Sequence, residues 1–134
     1  MSAVVADTHT IVWFITRAPA LSATARAALI QAEQSGFPIY VPTIVVVELC
    51  YLMDKGTITA AEFDLVVNTL KNPAKAAMAQ PLDLQIGEIL RQIPRATVPD
   101  MPDRIIAATA LALGLPLVTR DHKIQALTNI TTIW

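Results

Sequence analysis

The run "SAVVAD", from Ser2 to Asp7, constrains the fold more than any other stretch of the chain. Ala3 to Ala6 is uniformly apolar with two β-branched residues at its centre, which predicts a short strand. A strand that alternates apolar and polar residues keeps one face in water, but this run has no polar face. Both of its faces must be covered, as in a parallel sheet with helices above and below. The run stops at a carboxylate, Asp7. The pattern returns near the far end, where Leu117 and Val118 lead through Thr119 and Arg120 to Asp121.

Between these two runs, helical and strand-like segments alternate. "LSATARAALIQAEQSG" reads as a helix, with Ser22 as N-cap and Gly36 where a C-terminal cap belongs. "PIYVP" is a strand bracketed by Pro38 and Pro42. The valines of "TIVVVELCYLMDKG" favour strand, but its length, Thr43 as a cap and Gly56 as a stop favour helix. "TAAEFDLVVNTLKN" is an amphipathic helix. Thr59 and Glu62 form a capping box there, and Phe63, Val66, Val67 and Leu70 share one face. "KAAMAQP" is a weakly marked third strand. "LDLQIGEILRQIP" repeats Leu84, Ile86, Ile89, Leu90 and Ile93 at helical spacing. "MPDRIIAATALALG" is a helix with Pro102 in its first turn and Gly114 after its last. "LPLVT" is a strand, "HKIQALT" a short helix and "ITTIW" a final strand. Such alternation predicts an α/β fold with a parallel sheet between helices. With 134 residues and no linker or internal repeat, one domain over residues 1–134 is expected.

Hydrophobic residues make up 54% of the chain and charged residues only 16%. Two readings fit: a well-buried α/β core, or a chain that also covers an apolar partner surface. The net charge of -1 supplies no global attraction to a polyanion, so nucleic acid must be met by a local basic rim or by metal ions. The single cysteine, Cys50, lies in an apolar stretch and reads as a buried core thiol in a reducing compartment. Asp7 interrupts the N-terminal apolar run too early for a signal peptide, and no stretch is long and uncharged enough to span a bilayer. A cytoplasmic protein is expected.

In open parallel sheets, ligands sit beyond the carboxyl ends of the strands, where strand order reverses. Asp7 and Asp121 both belong there if their strands are neighbours. Glu48 stands amid apolar residues, where a lone carboxylate must be paired, protonated or bound to metal. Asp103 opens the helix "DRIIAATALALG", whose Ala107, Ala108 and Ala110 allow it to lie close on the sheet. If all four acids converge, each pair about 4 Å apart repels by about 4 kcal/mol at an effective dielectric near 20, and cations are needed. Oxygen-only ligands favour Mg²⁺ or Mn²⁺, and no His or Cys cluster competes for zinc. Carboxylate-held divalent ions suit phosphodiester cleavage, one activating water and the other stabilising the leaving oxygen.

"VVADTHTIVWF", "VPTIVVVELCYL" and "PDRIIAATALALGLPLVTRD", in this order, resemble the PIN-domain family, and more narrowly the VapC-type toxins of bacterial toxin–antitoxin pairs. Each motif alone is weak, but the set in this order and length is specific. The resemblance runs from Asp7 to the terminal strand. It implies a three-layer α/β/α sandwich around a parallel sheet of about five strands, with Mg²⁺- or Mn²⁺-dependent endoribonuclease activity. The family's acidic positions fall on Asp7, Glu48, Asp103 and Asp121, and its hydroxyl position on Thr119. Asp100, in "PDMPD", is a lesser supporting acid. The resemblance also implies an RNA substrate, a VapB-like antitoxin whose tail enters the active-site groove, and a homodimer. The chain carries no basic stripe, so Arg17, Arg104, Arg120 and Lys123 are the candidates to touch phosphate.

Each of these residues also has a plain structural reading. Asp7 can be a helix N-cap, Glu48 an ion-pair partner, Asp103 a helix-dipole partner and Asp121 a turn residue. Thr8 and Thr119 can be simple caps. Arg104 and Arg120 can be surface charges, and His9 and His122 read as structural. Trp13, Phe14 and Trp134 read as core or dimer surface rather than base-stacking platforms, and "KNPAK" as a solvated turn. Two functional alternatives stand beside the nuclease. One is an aspartyl-phosphate phosphatase with Asp7 as nucleophile, although position 9 is His where a second acid is wanted. The other is a metal-free PIN scaffold acting as a binding module.

Overall fold

The computed structural model describes residues 2–134. Five strands form one sheet: β1 (Val4–Ala6), β2 (Ile39–Pro42), β3 (Ala77–Gln80), β4 (Leu117–Val118) and β5 (Thr132–Ile133). All pairings are parallel, in the order β3-β2-β1-β4-β5. The helices are α1 (Thr8–Thr16), α2 (Ala23–Gln34), α3 (Ile44–Asp54), α4 (Ala60–Lys71), α5 (Leu84–Ile89), α6 (Met101–Leu113) and α7 (His122–Gln125). A short 3-10 turn, Leu90–Gln92, follows α5. The architecture is the expected three-layer α/β/α sandwich.

Strand β1 occupies the centre, and Val4, Val5 and Ala6 are buried as their uniform apolarity requires. The chain steps outward through β2 and β3, then returns to lay β4 on the other side of β1. Strand order therefore reverses between β1 and β4, where a crevice opens beyond the strand ends. The register pairs Val5 with Leu117 and Ala6 with Val118, so Asp7 and Thr119 leave the sheet side by side. The hydroxyl of Thr10 donates to the Val118 carbonyl at 2.9 Å and ties α1 to the end of β4. Helix α6 packs on β1 and β2, and its Ile106, Ala107, Ala108 and Ala110 are buried; the small side chains permit a close approach.

The caps follow local chemistry. The Ser22 and Thr59 hydroxyls accept from the N–H groups of Ala25 and Glu62, and Glu62 returns a bond to the Thr59 N–H. Gly114 ends α6 at φ +65°, in the left-handed region open to glycine.

Several expectations need correction. Thr43 precedes α3 but makes no side-chain cap; its hydroxyl accepts instead from the Leu82 N–H at 3.3 Å. Of the apolar residues at helical spacing in this segment, Ile86 and Ile93 are buried but Leu84 is 80% exposed, because α5 is short and turns Ile86 inward. Cys50 is exposed rather than buried. Helix α3 directs Val45 and Leu49 into the core, which leaves Val47, Cys50 and Tyr51 outside. A helix apolar on nearly every side offers too little contrast to reveal which stripe is buried.

Candidate active site

Four elements deliver the acids to the crevice. Asp7 follows β1, Glu48 projects from the middle of α3, Asp103 sits in the first turn of α6, and Asp121 caps α7 just beyond β4. All four line one cavity of about 290 Å³. An adjoining cavity of about 550 Å³ shares Asp103 and Asp121 and adds Asp100 and Lys123.

Threonines hold two of the acids. One Asp7 oxygen, Oδ1, accepts from the Thr10 N–H at 3.0 Å, and the other, Oδ2, accepts a short bond from the Thr119 hydroxyl. Asp7 is therefore an N-cap and a wall of the cavity at once. The Thr119 oxygen in turn accepts from the Asp121 N–H at 3.0 Å, so a single fully buried hydroxyl connects two acids. Thr8, also buried, donates to Glu48 Oε1 at 2.5 Å. Asp121 Oδ1 accepts from the N–H groups of Lys123 and Ile124 at 2.8 and 3.1 Å.

The electrostatics are those of crowded acids. Burial raises the Asp7 carboxyl above its ordinary value, against the opposing hydrogen bonds from Thr10 and Thr119. Burial likewise raises Glu48, opposed by the Thr8 hydroxyl and assisted by the charge of Asp7. Asp103 is pushed from 3.8 up to about 7, first by burial and then by repulsion from Asp121, Glu48, Asp100 and Asp7. A proton or a cation relieves the repulsion that Asp103 meets from these neighbours.

The donor set fits a hard divalent cation: all oxygen, anionic, partly exposed and mutually repelling. The acids face a common space without closing on one point. Among the described residues, no three His, Cys, Asp or Glu side chains are gathered tightly enough to hold a metal as they stand.

The basic candidates divide. Arg120 lines both cavities and Lys123 the second. Arg17 does not join them: it caps the far end of α1, nine residues or roughly 13 Å along the helix from Thr8. It borders a different cavity, with Phe14, Ile15 and Ile30. Arg104 is spent on structure. Its guanidinium donates to the Leu90 carbonyl at 3.0 Å and to the Ile93 carbonyl at 2.9 and 3.2 Å, bracing the turn after α5 against α6. The sequence left open whether Thr8 is more than a cap, Trp13 read as core or dimer surface, and Thr10 was not singled out; all three line the acidic cavity. The alternation in "DTHT" is the one signal that marked Thr8 and Thr10, and nothing in the sequence marked Trp13 as a cavity wall.

The PIN domain family model matches residues 4–129, and the chain belongs to that family. No curated protein matches the chain. Solved structures with the same fold include VapBC2 from Rickettsia felis bound to a promoter DNA fragment, at 17% identity and TM-score 0.72, covering 97% of this chain and 96% of that one. DNA-bound VapBC from Salmonella typhimurium matches at 19% identity and TM-score 0.66, over 98% and 97% of the two chains. FitAcB from Neisseria gonorrhoeae matches at 20% identity and TM-score 0.61, over 96% and 95%.

Proposed function

We propose that this chain, acting as one domain, is a Mg²⁺- or Mn²⁺-dependent endoribonuclease and the toxin of a toxin–antitoxin pair. The observation that carries the reading is the convergence of Asp7, Glu48, Asp103 and Asp121, from four separate elements, on one cavity at the strand-order switch. PIN-family membership and the similarity to VapBC structures support it.

The four carboxylates would hold the cation, which when bound supplies the Lewis acidity that phosphodiester hydrolysis requires. Thr119 holds Asp7 in place and fixes the Asp121 main chain, and Thr8 does the same for Glu48. Asp103, whose carboxyl burial and then its acidic neighbours push up to about 7, would be held in its ionised form by a bound cation. Arg120 and Lys123, which line the second cavity, would meet phosphate at the rim. The partner would be a VapB-like antitoxin whose tail enters the groove, where the acids would favour cationic side chains. The exposed apolar residues Val47 and Tyr51 on α3 suit a second copy or the antitoxin.

The test is cleavage of RNA by the purified chain in Mg²⁺ or Mn²⁺, with both new ends sequenced. Products should carry 5′-phosphate and 3′-hydroxyl ends, and Asp7→Asn or Asp103→Asn should slow cleavage by about 100-fold or more while the protein stays folded. Cleavage by either variant at the wild-type rate would refute the assignment. An absence of both cleavage and cation binding would favour the metal-free scaffold.

A further inference from the structure

Three helical threonines, Thr16, Thr69 and Thr109, spend their hydroxyls within their own helices. Each donates to the carbonyl four residues earlier, at 2.7, 2.7 and 2.8 Å. Thr10, in the first turn of α1, does not. Its hydroxyl reaches a residue 108 positions away and donates to the Val118 carbonyl at 2.9 Å, at the end of β4. Thr10 is only 1% exposed, so a valine of the same shape would suit the site, and burying a hydroxyl there calls for a reason.

The sheet supplies one. Within it, the Val5 N–H donates to the Pro116 carbonyl at 2.9 Å, an ordinary rung between β1 and β4. Where Asp7 leaves β1, its N–H reaches the Val118 carbonyl only at 3.4 Å. The two strands have begun to part at the level where their acids emerge. The Thr10 hydroxyl makes the closer bond to that same carbonyl and spans the gap. The Thr10 N–H meanwhile donates to Asp7 Oδ1 at 3.0 Å, so one residue grips both the carboxylate and the strand beside it. Across the gap, the Thr119 hydroxyl donates to Asp7 Oδ2 and accepts from the Asp121 N–H at 3.0 Å. These bonds together set Asp7 relative to Asp121. The Thr10 hydroxyl bond is the one among them that touches neither acid, so deleting it leaves each carboxylate its own partners.

We propose that Thr10 is a positioning residue: its hydroxyl clamps α1 to β4, fixes the spacing of Asp7 and Asp121, and so fits the seat to a small cation, Mg²⁺, over a larger one, Ca²⁺. The proposal rests on the reading of the four acids as a cation seat. Mg²⁺ demands a near-ideal octahedron of oxygens at about 2.0–2.1 Å, whereas Ca²⁺ accepts flexible arrangements at about 2.3–2.6 Å. A seat whose walls can part therefore loses Mg²⁺ before it loses Ca²⁺.

The experiment is calorimetric titration of the full chain with Mg²⁺ and, separately, with Ca²⁺. Thr10→Val should weaken Mg²⁺ binding about 10- to 100-fold, the scale for losing a group that orients a ligand. Ca²⁺ binding should weaken much less, so the ratio of the two dissociation constants moves toward Ca²⁺. Thr10→Ser keeps the hydroxyl and should restore the wild-type ratio. Thr16→Val, which deletes a hydroxyl bonded within α1, should leave the ratio unchanged. A general loosening of the fold would weaken both ions alike. Should Thr10→Val fail to fold, Thr10→Ala deletes the same hydroxyl and carries the same expectation.

Equal weakening of both ions, an unmoved ratio, or a shift in Thr10→Ser as large as in Thr10→Val overturns the clamp. RNA cleavage judges the nuclease reading separately. If the wild-type chain cuts RNA while the ratio does not move, only the clamp falls. If the ratio moves but the wild-type chain cuts no RNA, the clamp stands and the nuclease reading falls. A wild-type chain that binds neither ion overturns both.

Discussion

Asp103 is the residue at which the site's electrostatics can be read most directly. Burial, and then its acidic neighbours, push its carboxyl from 3.8 up to about 7 in the folded chain. Between those values the folded chain holds a proton that the unfolded chain has released, so stability falls as pH rises through the window. Burial raises Asp7 and Glu48 in the same direction. The metal-free protein should therefore melt at a higher temperature at pH 5 than at pH 8. Asp103→Asn should flatten that difference and raise the melting temperature at pH 8 by a few degrees. That shift corresponds to about 1 kcal/mol, the scale for a half-exposed charge after solvent screening. A melting temperature that climbs from pH 5 to pH 8 without metal would contradict this account of Asp103.

Thr8 has a role of another kind. Its hydroxyl orients Glu48 and touches none of the other acids by hydrogen bond. Thr8→Val keeps the shape and removes the donor. It should lower RNA cleavage by roughly tenfold, the size of a lost hydrogen bond to a charged group, and Thr8→Ser should restore most of it. Equal losses for Val and Ser would mean that packing, not the hydrogen bond, sets the role of Thr8.

Among the elements, those with one decisive local signal were legible in the sequence. The apolar run of β1, the capping box of α4 and the Pro102-to-Gly114 frame of α6 each follow from a few adjacent residues. Signals that depend on the far side of the molecule were not. The buried face of α3 is chosen by what packs against it, so Cys50 was placed inside when it lies outside. The brace from Arg104 to the Leu90 and Ile93 carbonyls spans 14 and 11 residues and leaves no periodic trace. That brace fixes the end of the α5 segment to the helix that carries Asp103. Arg104→Ala should cost roughly 1.5–3 kcal/mol, measured by urea unfolding, because two carbonyls lose a charged donor. A cost below about 0.5 kcal/mol would place the guanidinium in solvent instead.

At the scale of the whole molecule, the parallel sheet converts positions far apart in the chain into neighbours. Asp7 and Asp121 lie 114 residues apart in sequence, yet β1 and β4 are adjacent and in register, and both acids border one cavity. That convergence was legible as soon as both strands were seen to end near an acid, given the rule for open sheets. The inclusion of Glu48 and Asp103 was suggested by the cost of an unpaired carboxylate in an apolar run and by the family resemblance. The family resemblance marked Thr119 as a hydroxyl that orients a carboxylate, but the bond from Thr8 to Glu48 was not visible, since a hydroxyl beside an acid in sequence reads equally well as a cap. Among the described residues, no helix is long and apolar enough to cross a membrane.

The central claim is that these four acids together make a seat for a divalent cation. Anomalous diffraction from crystals soaked in Mn²⁺ tests it most directly. The account predicts a manganese peak inside the cavity bordered by Asp7, Glu48, Asp103 and Asp121, and its loss in Asp7→Asn crystals. Saturated crystals with no peak there, or a peak that persists in Asp7→Asn, would contradict it.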